Sequence, residues 1–274
     1  MGNKTYGSEN EINKRVMNNC FSRIRQHIVC LMLSVLMFSC MGESGTIVKF
    51  GSQAGVVRLA DGKQIHLRNG MTLEAQELDT LAVKDADCCL VDFQINYDTQ
   101  TDTLQGIWHT DWLIYKPVPK WKQLMLTEPD TMIRADEHFL DFDIPKGGFV
   151  SNHLFLYMEY GSHYQTQVDS FRMSFLPAEG LVYTADSSRK VYRLYLRSFG
   201  SIAEKDSVTE RKVLPQAFDL TDFVEWAKTS PERTDDTIRF QVVYPKQFNS
   251  NYPGFVWNAS EVYSVLENGE EVKE

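Results

Sequence analysis

Apolar residues recur at every second position in several stretches of this chain, and this alternation constrains its fold more than any other feature. In the clearest stretch, residues 89–97, apolar side chains alternate with Asp92, Gln94 and Asn96. Because successive side chains of a β-strand point to opposite faces, this pattern is typical of a strand with one buried face. The chain is therefore predicted to be mainly β.

Residues 55–68 are typical of a β-hairpin, and the spacing of their apolar residues selects the turn. A two-residue turn would pair Val57 with His66, whereas a three-residue loop ending at Gly62 would pair Val57 with Ile65. Only the second arrangement keeps the apolar side chains on one face. We therefore expect the three-residue loop, with Gly62 in the left-handed conformation and His66 on the polar face.

A second long strand is predicted after residues 98–102, because apolar residues share one parity there: Leu104, Trp108, Trp112 and Ile114. Two long strands preceded by a hairpin suit a small curled barrel. Trp108 and Trp112 are candidates for stacking against a sugar ring. The alternative is that both tryptophans belong to the core or the rim of the barrel.

The strand pattern breaks at residues 116–120, where two prolines cannot donate to a β-ladder. We place a domain boundary there and expect residues 119–148 to form an irregular linker. Its acidic stretch, residues 136–143, is predicted to be solvated, because it matches no known calcium or zinc spacing. No metal site is predicted.

The second half of the chain is again rich in strand-like runs, at residues 154–160, 171–176, 181–184, 191–199 and 237–244. Short strands without long intervening helices favour a β-sandwich over residues 149–270. One exception, residues 219–228, has helical spacing, with Thr221 or Asp222 as the candidate N-cap. The acidic tail, residues 267–274, is predicted to be solvated.

Residues 28–38 are eleven consecutive uncharged residues that follow Arg23 and Arg25. A spanning helix needs roughly twenty apolar residues, so this run has the length of a secretory signal rather than of a membrane span. We exclude residues 1–40 from the fold. Met17 is an alternative start, since the residues after it form an ordinary basic leader.

The residues that end this run, Met37-Phe38-Ser39-Cys40, resemble a bacterial lipobox. In such a motif the chain is cut before the cysteine, which then carries diacylglycerol. The resemblance implies that Cys40 is a lipid anchor and that the protein is held at a membrane of the cell envelope. We expect the outer membrane, with its periplasmic or surface side left open.

The charge of the remaining chain limits its partners. Residues 1–40 hold five of the 28 Lys and Arg and two of the 37 Asp and Glu, which leaves 23 basic and 35 acidic residues and a net charge of −12. Nucleic acids reward basic residues and repel this balance, so no nucleic-acid partner is predicted. The oligomeric state stays open.

Cys88 and Cys89 are the cysteines that follow Cys40, and adjacent cysteines cannot normally bridge each other without strain. The favoured interpretation is a pair of buried thiols, one facing the core and one a neighbouring strand. A redox or metal role is the alternative.

Motifs of catalysis are absent from residues 41–274: there is no HExxH, GxSxG, P-loop or dinucleotide-binding glycine pattern. His109 and Asp111 share a strand face, and His153 and His163 flank another strand, but each histidine lacks a nearby nucleophile. We therefore predict no catalytic residue, no cofactor and no enzymatic activity.

Asp followed by Ser or Thr and an aliphatic residue occurs five times, where random composition would give about one. This tripeptide resembles an O-glycosylation acceptor of a phylum of anaerobic gut and oral bacteria. The candidate acceptors are Thr80, Thr103, Thr131, Ser207 and Thr237. The alternative is that these tripeptides simply begin strands.

Taken together, the chain resembles the NigD-like lipoproteins of that phylum. The residues that carry the resemblance are 57–65, 191–197, 218–220 and 236–243. The family implies an N-terminal OB-like barrel, over residues 41–118, and a C-terminal β-sandwich. Our first interpretation is a non-catalytic envelope lipoprotein that binds an envelope protein or glycan. Two alternatives stay open: a bacteriocin immunity protein and an envelope enzyme.

Overall fold

The computed structural model describes residues 46–60, 62–130, 134, 137, 143–162, 169–200, 210–233, 235–248, 255–267, 269 and 271–272. The chain divides into two units, Met1–Ile47 and Val48–Glu274. The predicted signal peptide and Cys40 lie outside the described residues, so the fold is that of the second unit. None of the helices described in it is both long and apolar enough to cross a membrane.

Strands dominate the described part of the chain, as predicted. In chain order the elements are β1 (Ile47–Arg58), β2 (Gln64–Leu67), β3 (Thr72–Ala75), α1 (Gln76–Thr80), β4 (Cys88–Asn96), β5 (Ile107–Thr110), β6 (Leu113–Pro117), β7 (Lys120–Lys122), β8 (Leu124–Met125), β9 (Asp143–Val150), β10 (His153–Ser162), β11 (Asp169–Phe175), β12 (Val182–Tyr183), β13 (Lys190–Gly200), β14 (Glu210–Asp219), α2 (Thr221–Thr229), β15 (Thr237–Phe248) and β16 (Phe255–Leu266).

The first sheet has the strand order β5-β3-β2-β1-β4-β6 and forms the predicted barrel. Its parallel pairing of β3 with β5 and its antiparallel pairing of β4 with β6 give the strand arrangement of an OB fold. Strand β4 also contacts β5, which draws the two edges of the sheet together. Side chains such as Val57, Ile65 and Phe93 fill the interior.

The predicted hairpin register is confirmed. Val57 pairs with Ile65 across β1 and β2, and Gly62 in the loop has a φ of +113°, a backbone conformation that favours glycine. Apolar parity alone therefore selected the turn, because any one-residue slip would have moved Ile65 out of the barrel core.

The prediction of a second long strand is wrong in one respect: the structure has two strands there, β5 and β6, which are separated by Asp111 and Trp112. The break lets the chain leave β3 and pair with β4. The hydroxyl of Thr110 stabilises it by donating to the carbonyl of Gln94 at 2.6 Å. Leu104 lies on a short 3₁₀ turn and is fully exposed, so the four apolar residues do not share a face.

The two cysteines face different cores. Cys89 points into the barrel, whereas Cys88 packs on the outer side with Val56, Leu90 and Phe155. Burial raises the pKa of Cys88 to about 12, which leaves its thiol protonated at neutral pH. Both are buried free thiols.

Two further sheets, β7-β14-β10-β9 and β16-β15-β13-β11-β8, enclose the largest apolar core and form the predicted sandwich. The strand-like runs of the sequence lie within β10, β11, β13 and β15 or overlap β12. Sequence reasoning missed β9, β14 and β16. Within the predicted linker, β7 and β8 each join one sheet as a parallel strand.

Two acidic stretches that were predicted to be solvated contain buried or paired carboxylates. Glu137 has a fully buried side chain and forms an ion pair with Arg197. In the tail, Glu271 is paired with Arg68 and bridges to Val265. In both places the carboxylate compensates an arginine for which the sequence indicated no partner: Arg197 on β13, and Arg68 directly after β2.

The predicted helix is present as α2, but its predicted cap is wrong. Neither Thr221 nor Asp222 caps it, since both lie inside the helix and Leu220 is the N-cap residue. Asp219 instead accepts hydrogen bonds from the backbone N–H and the hydroxyl of Thr221, at 3.1 and 2.7 Å. The acidic side chain one residue earlier thus holds the first turn.

His153 gives the fold a predicted pH dependence. Burial lowers its pKa, and its Nε2 is buried without a hydrogen-bond partner among the described residues. The unfolded chain takes up a proton below about pH 6.5 while the folded histidine stays neutral, so stability falls as pH drops below that value. We expect a loss of up to about 1.4 kcal/mol per pH unit.

Urea unfolding at pH 7.5 and 5.5 checks this expectation. In His153→Phe, we expect most of the difference in unfolding free energy between the two pH values to disappear. His66 contributes a smaller share in the same direction, because burial, followed by the charge of Arg58, lowers its pKa as well. An unchanged pH dependence in His153→Phe would contradict the assignment.

Candidate functional site

A row of polar side chains in contact with one another crosses the outer face of the barrel, on β2, β3 and β5 and on the 3₁₀ turn that precedes β5. The Nε2 of Gln64 donates to Glu74 Oε1 at 2.7 Å. The other oxygen of Glu74 lies 3.4 Å from Nδ1 of His109, and Nε2 of His109 lies 3.0 Å from Asp102 Oδ2. We call these four residues the polar row.

The strand register brings the row together. Gln64 pairs with Glu74 across β2 and β3, and Glu74 pairs with His109 across β3 and β5. The alternate positions Ile65 and Leu73 point into the barrel and are fully buried. The same alternation that builds the core therefore leaves a continuous polar ladder outside it.

Three members of the polar row are accessible, whereas Gln64 is buried. The side chains of Glu74, His109 and Asp102 are 34%, 41% and 44% exposed. The hydrogen bond from His109 lowers the pKa of Asp102 below its usual range. The row thus offers several carboxylate acceptors and an imidazole that lies between two of them.

A shallow cleft of about 400 Å³ lies beside the row, lined by residues that include Lys63, Gln76 and Asp111. The ammonium of Lys63 donates to the carbonyls of Leu78, Asp79 and Leu81 at 3.1, 3.0 and 2.9 Å. These bonds satisfy the carbonyl end of α1 and fix the wall of the cleft.

The two predicted stacking residues have different surroundings. Trp108 is half-buried, packs on the barrel core and contacts the ring of Tyr97 edge-on at 5.3 Å. Trp112 follows Asp111, a residue of the cleft, and is 39% exposed. Among the described residues no ring contact joins the two tryptophans. Trp112 thus stays accessible to a ligand, whereas Trp108 supports the rim.

The candidate glycosylation residues are scattered rather than gathered into one site. Thr80 ends α1, and Thr103 lies on the 3₁₀ turn; both are exposed. Thr237 begins β15 and is half-buried. Thr131, Ser207 and the lipid-anchor candidate Cys40 lie outside the described residues, so all six assignments stay predictions.

Neither a metal centre nor a catalytic group is apparent in the described part of the chain. No cluster of three or more His, Cys, Asp and Glu side chains is arranged there to hold a metal. The described side-chain partners of His109 are carboxylates, without a serine or cysteine nucleophile. His153 is buried, and His163 lies outside the described residues.

Sequence reasoning missed the polar row, although it had singled out His109. The row depends on parallel pairing between β3 and β5, whose residues lie far apart in the chain. The usual strand order of an OB fold, imposed on the sequence, would have placed Glu74 beside His109.

Comparison with known proteins supports this fold. Residues 45–103 match the family of lipoprotein OB domains. A solved structure of an uncharacterised protein from Parabacteroides merdae is 17% identical and has a TM-score of 0.66, covering 79% of this chain and 98% of that chain. No curated protein matches the chain.

Two further solved structures cover a similar share of this chain. A candidate lipoprotein from Bacteroides fragilis is 12% identical with a TM-score of 0.50, over 80% of this chain and 98% of that chain. A NigD-like immunity protein from Bacteroides caccae is 12% identical with a TM-score of 0.41, over 80% of this chain and 93% of that chain.

The match over residues 45–103 confirms the resemblance found in the sequence at the level of a lipoprotein OB domain. At identities of 12% and 17% the solved structures show the fold alone. None of the three structures is described as an enzyme. The domain match also supports a place in the cell envelope.

Proposed function

We propose that this chain, whose residues 45–103 form a lipoprotein OB domain, is a non-catalytic lipoprotein of the outer membrane that binds an envelope glycan through its polar row. Cys40 would carry the lipid anchor. Two acyl chains give a stable attachment without a spanning helix, because each buried methylene contributes about 0.8 kcal/mol.

The observation that carries the proposal is the exposed polar row beside the cleft. Sugar hydroxyls both donate and accept hydrogen bonds, and the row presents carboxylate oxygens and an imidazole along one face, while the buried amide of Gln64 holds Glu74. The row lies on strands 2 and 3 of the barrel, together with β5. Strands 2 and 3 form the face with which OB folds hold oligosaccharides.

An exposed aromatic residue three positions after His109 would add an apolar contact. Trp112 is exposed next to Asp111, and the flat apolar side of a sugar ring packs well on an indole. Catalysis is disfavoured by the partners of His109, since a positioned base without a nucleophile or an enclosed pocket has little to act on.

Trp112→Ala is expected to weaken glycan binding about tenfold, since a stacking contact contributes roughly 1.4 kcal/mol. The measurement is titration of the protein with envelope polysaccharide fragments of the native host. Trp257→Ala is a matched control, because Trp257 is 37% exposed but lies on β16 of the sandwich. Binding lost in Trp257→Ala and kept in Trp112→Ala would overturn the assignment.

Capture of partners from native envelopes tests the class of ligand, with Cys40→Ala as the control for anchoring. Recovery of a polysaccharide that Trp112→Ala fails to recover supports the proposal. Recovery of a specific protein in place of a glycan would favour the other binding partner considered from the sequence, and a toxin would favour immunity. Unchanged membrane attachment of Cys40→Ala would overturn the lipid anchor.

A further inference from the structure

A second cleft lies on the sandwich, away from the polar row. It has a volume of about 510 Å³ and is formed by the start of β13, the start of β15 and the loop that follows α2. Clefts of roughly 300–1,000 Å³ are the size that holds small organic ligands.

The charge of this cleft is opposite to that of the chain. Its lining includes four cationic side chains, Arg189, Lys190, Arg233 and Arg239, against two carboxylates, Glu232 and Asp235. Glu267, which pairs with Arg233, lowers the cationic excess from two to one. The whole chain has a net charge of −9, so a cationic hollow favours an anion over the surface around it.

Two buried hydrogen-bond donors of the cleft have no partner among the described residues. The first is the hydroxyl of Tyr192, a residue that is 3% exposed, and the second is Nη1 of Arg233. Buried polar atoms are almost always hydrogen-bonded, and leaving one unsatisfied costs roughly 1–3 kcal/mol. A pair of such donors in one cleft is what an anion site requires.

Acidic side chains hold two of the arginines that line the cleft. Asp235 accepts two hydrogen bonds from Nη1 of Arg239, at 3.1 and 2.8 Å, and a third from the backbone N–H of Thr237. These contacts lower the pKa of Asp235, and the hydrogen bond from Arg239 has the largest effect. Arg233 is fixed through its other nitrogen, Nη2, by Glu267. Its Nη1 is therefore left for a ligand.

We propose that this cleft binds the oxyanion group of a small organic ligand, with Tyr192 and Arg233 donating to its oxygens. A carboxylate, a sulfate and a phosphate share this chemistry, since each presents at least two acceptor oxygens to a planar guanidinium. Acidic sugars carry such groups and fit the volume.

Calorimetric titration of the full chain with glucuronate, glucose 6-sulfate, glucose 6-phosphate and neutral glucose tests the proposal and identifies the oxyanion. We expect saturable binding of at least one charged sugar and none of glucose. Inorganic sulfate and phosphate show whether the sugar contributes. Absence of saturation by every anion would overturn the site.

Tyr192→Phe is the sharpest variant, because it removes the unpartnered hydroxyl and keeps the ring that packs on Phe223 and Trp226. We expect affinity for the anion to fall at least tenfold, while thermal stability stays equal or rises. Tyr195→Phe on the same strand is the matched control. The Tyr195 hydroxyl already donates to Glu179 at 2.8 Å, so this change should lower stability and leave anion binding unchanged.

Equal affinity in Tyr192→Phe and in the native chain would overturn the proposed donor. The test is independent of the barrel face: Trp112→Ala should bind the anion normally. Loss of anion binding in Trp112→Ala together with normal binding in Tyr192→Phe would assign the anion to the barrel and contradict a sandwich site.

Discussion

Replacing Glu137 with alanine is expected to lower the free energy of unfolding by about 3–5 kcal/mol. The side chain of Glu137 is fully buried, and Arg197, its partner, is 2% exposed. Removing one member leaves an uncompensated charge in the interior, which costs more than the ion pair contributes. Asp130 also lies 2.7 Å from Arg197 and offsets part of the charge, so we expect the lower end of the range.

Urea unfolding at pH 7 measures the effect. Glu128→Ala is the matched control: Glu128 is exposed and precedes Asp130 in the same segment, so its change should stay within about 0.5 kcal/mol. The double variant Glu137→Met/Arg197→Met should recover most of the loss, because it removes both charges and keeps apolar volume. A loss below about 1 kcal/mol in Glu137→Ala would show that solvent reaches the pair.

This ion pair shows why part of the fold escaped prediction. Alternation in β13 directs Leu194 and Leu196 to the sandwich core and Arg197 to the opposite face of the sheet. From the sequence alone, that face would be predicted to be solvated. The carboxylates that bury Arg197 come from Asp130 and Glu137, more than fifty residues earlier. Nothing in the local pattern of either segment specifies that meeting.

Local register was predictable for the opposite reason. The β1–β2 hairpin is closed by neighbours in sequence, so the parity of Val57 and Ile65 decided it. The strand after residue 103 shared the parity signal, but its bend at Asp111 and Trp112 is set by a change of partner from β3 to β4. Alternation reports which face a residue occupies, not the strand beside it.

The candidate site divides in the same way. His109 and Trp112 could be proposed from the sequence because histidine and tryptophan carry recognisable chemistry. Glu74 could not be proposed from its local pattern alone, since its role depends on the register across β3 and β5. The unpartnered hydroxyl of Tyr192 was hidden further, because a tyrosine in a strand run is ordinarily a core residue.

Phe223→Ala is expected to cost about 3–5 kcal/mol, comparable to the loss of Glu137. The sequence predicted a helix over residues 219–228, and the structure places Phe223 of that helix in an aromatic cluster. The centroid of its ring lies 5.3 Å from the ring centroid of Phe175, 5.5 Å from that of Phe240 and 5.8 Å from that of Tyr192. Truncation removes these contacts and leaves a cavity against the sheet that carries all three rings, and a rigid β-sheet cannot close it.

Thermal unfolding followed by near-ultraviolet circular dichroism measures the change, with a fall of about 10 °C expected in the midpoint. Phe223→Leu keeps much of the volume and should lose less than half as much stability. Glu225→Ala is the control on the same helix, because Glu225 is exposed and only pairs with Lys228. Equal losses of stability in Phe223→Ala and Glu225→Ala would mean that helix propensity, rather than packing, stabilises α2. The packing of Phe223 would then also not be what holds the ring of Tyr192.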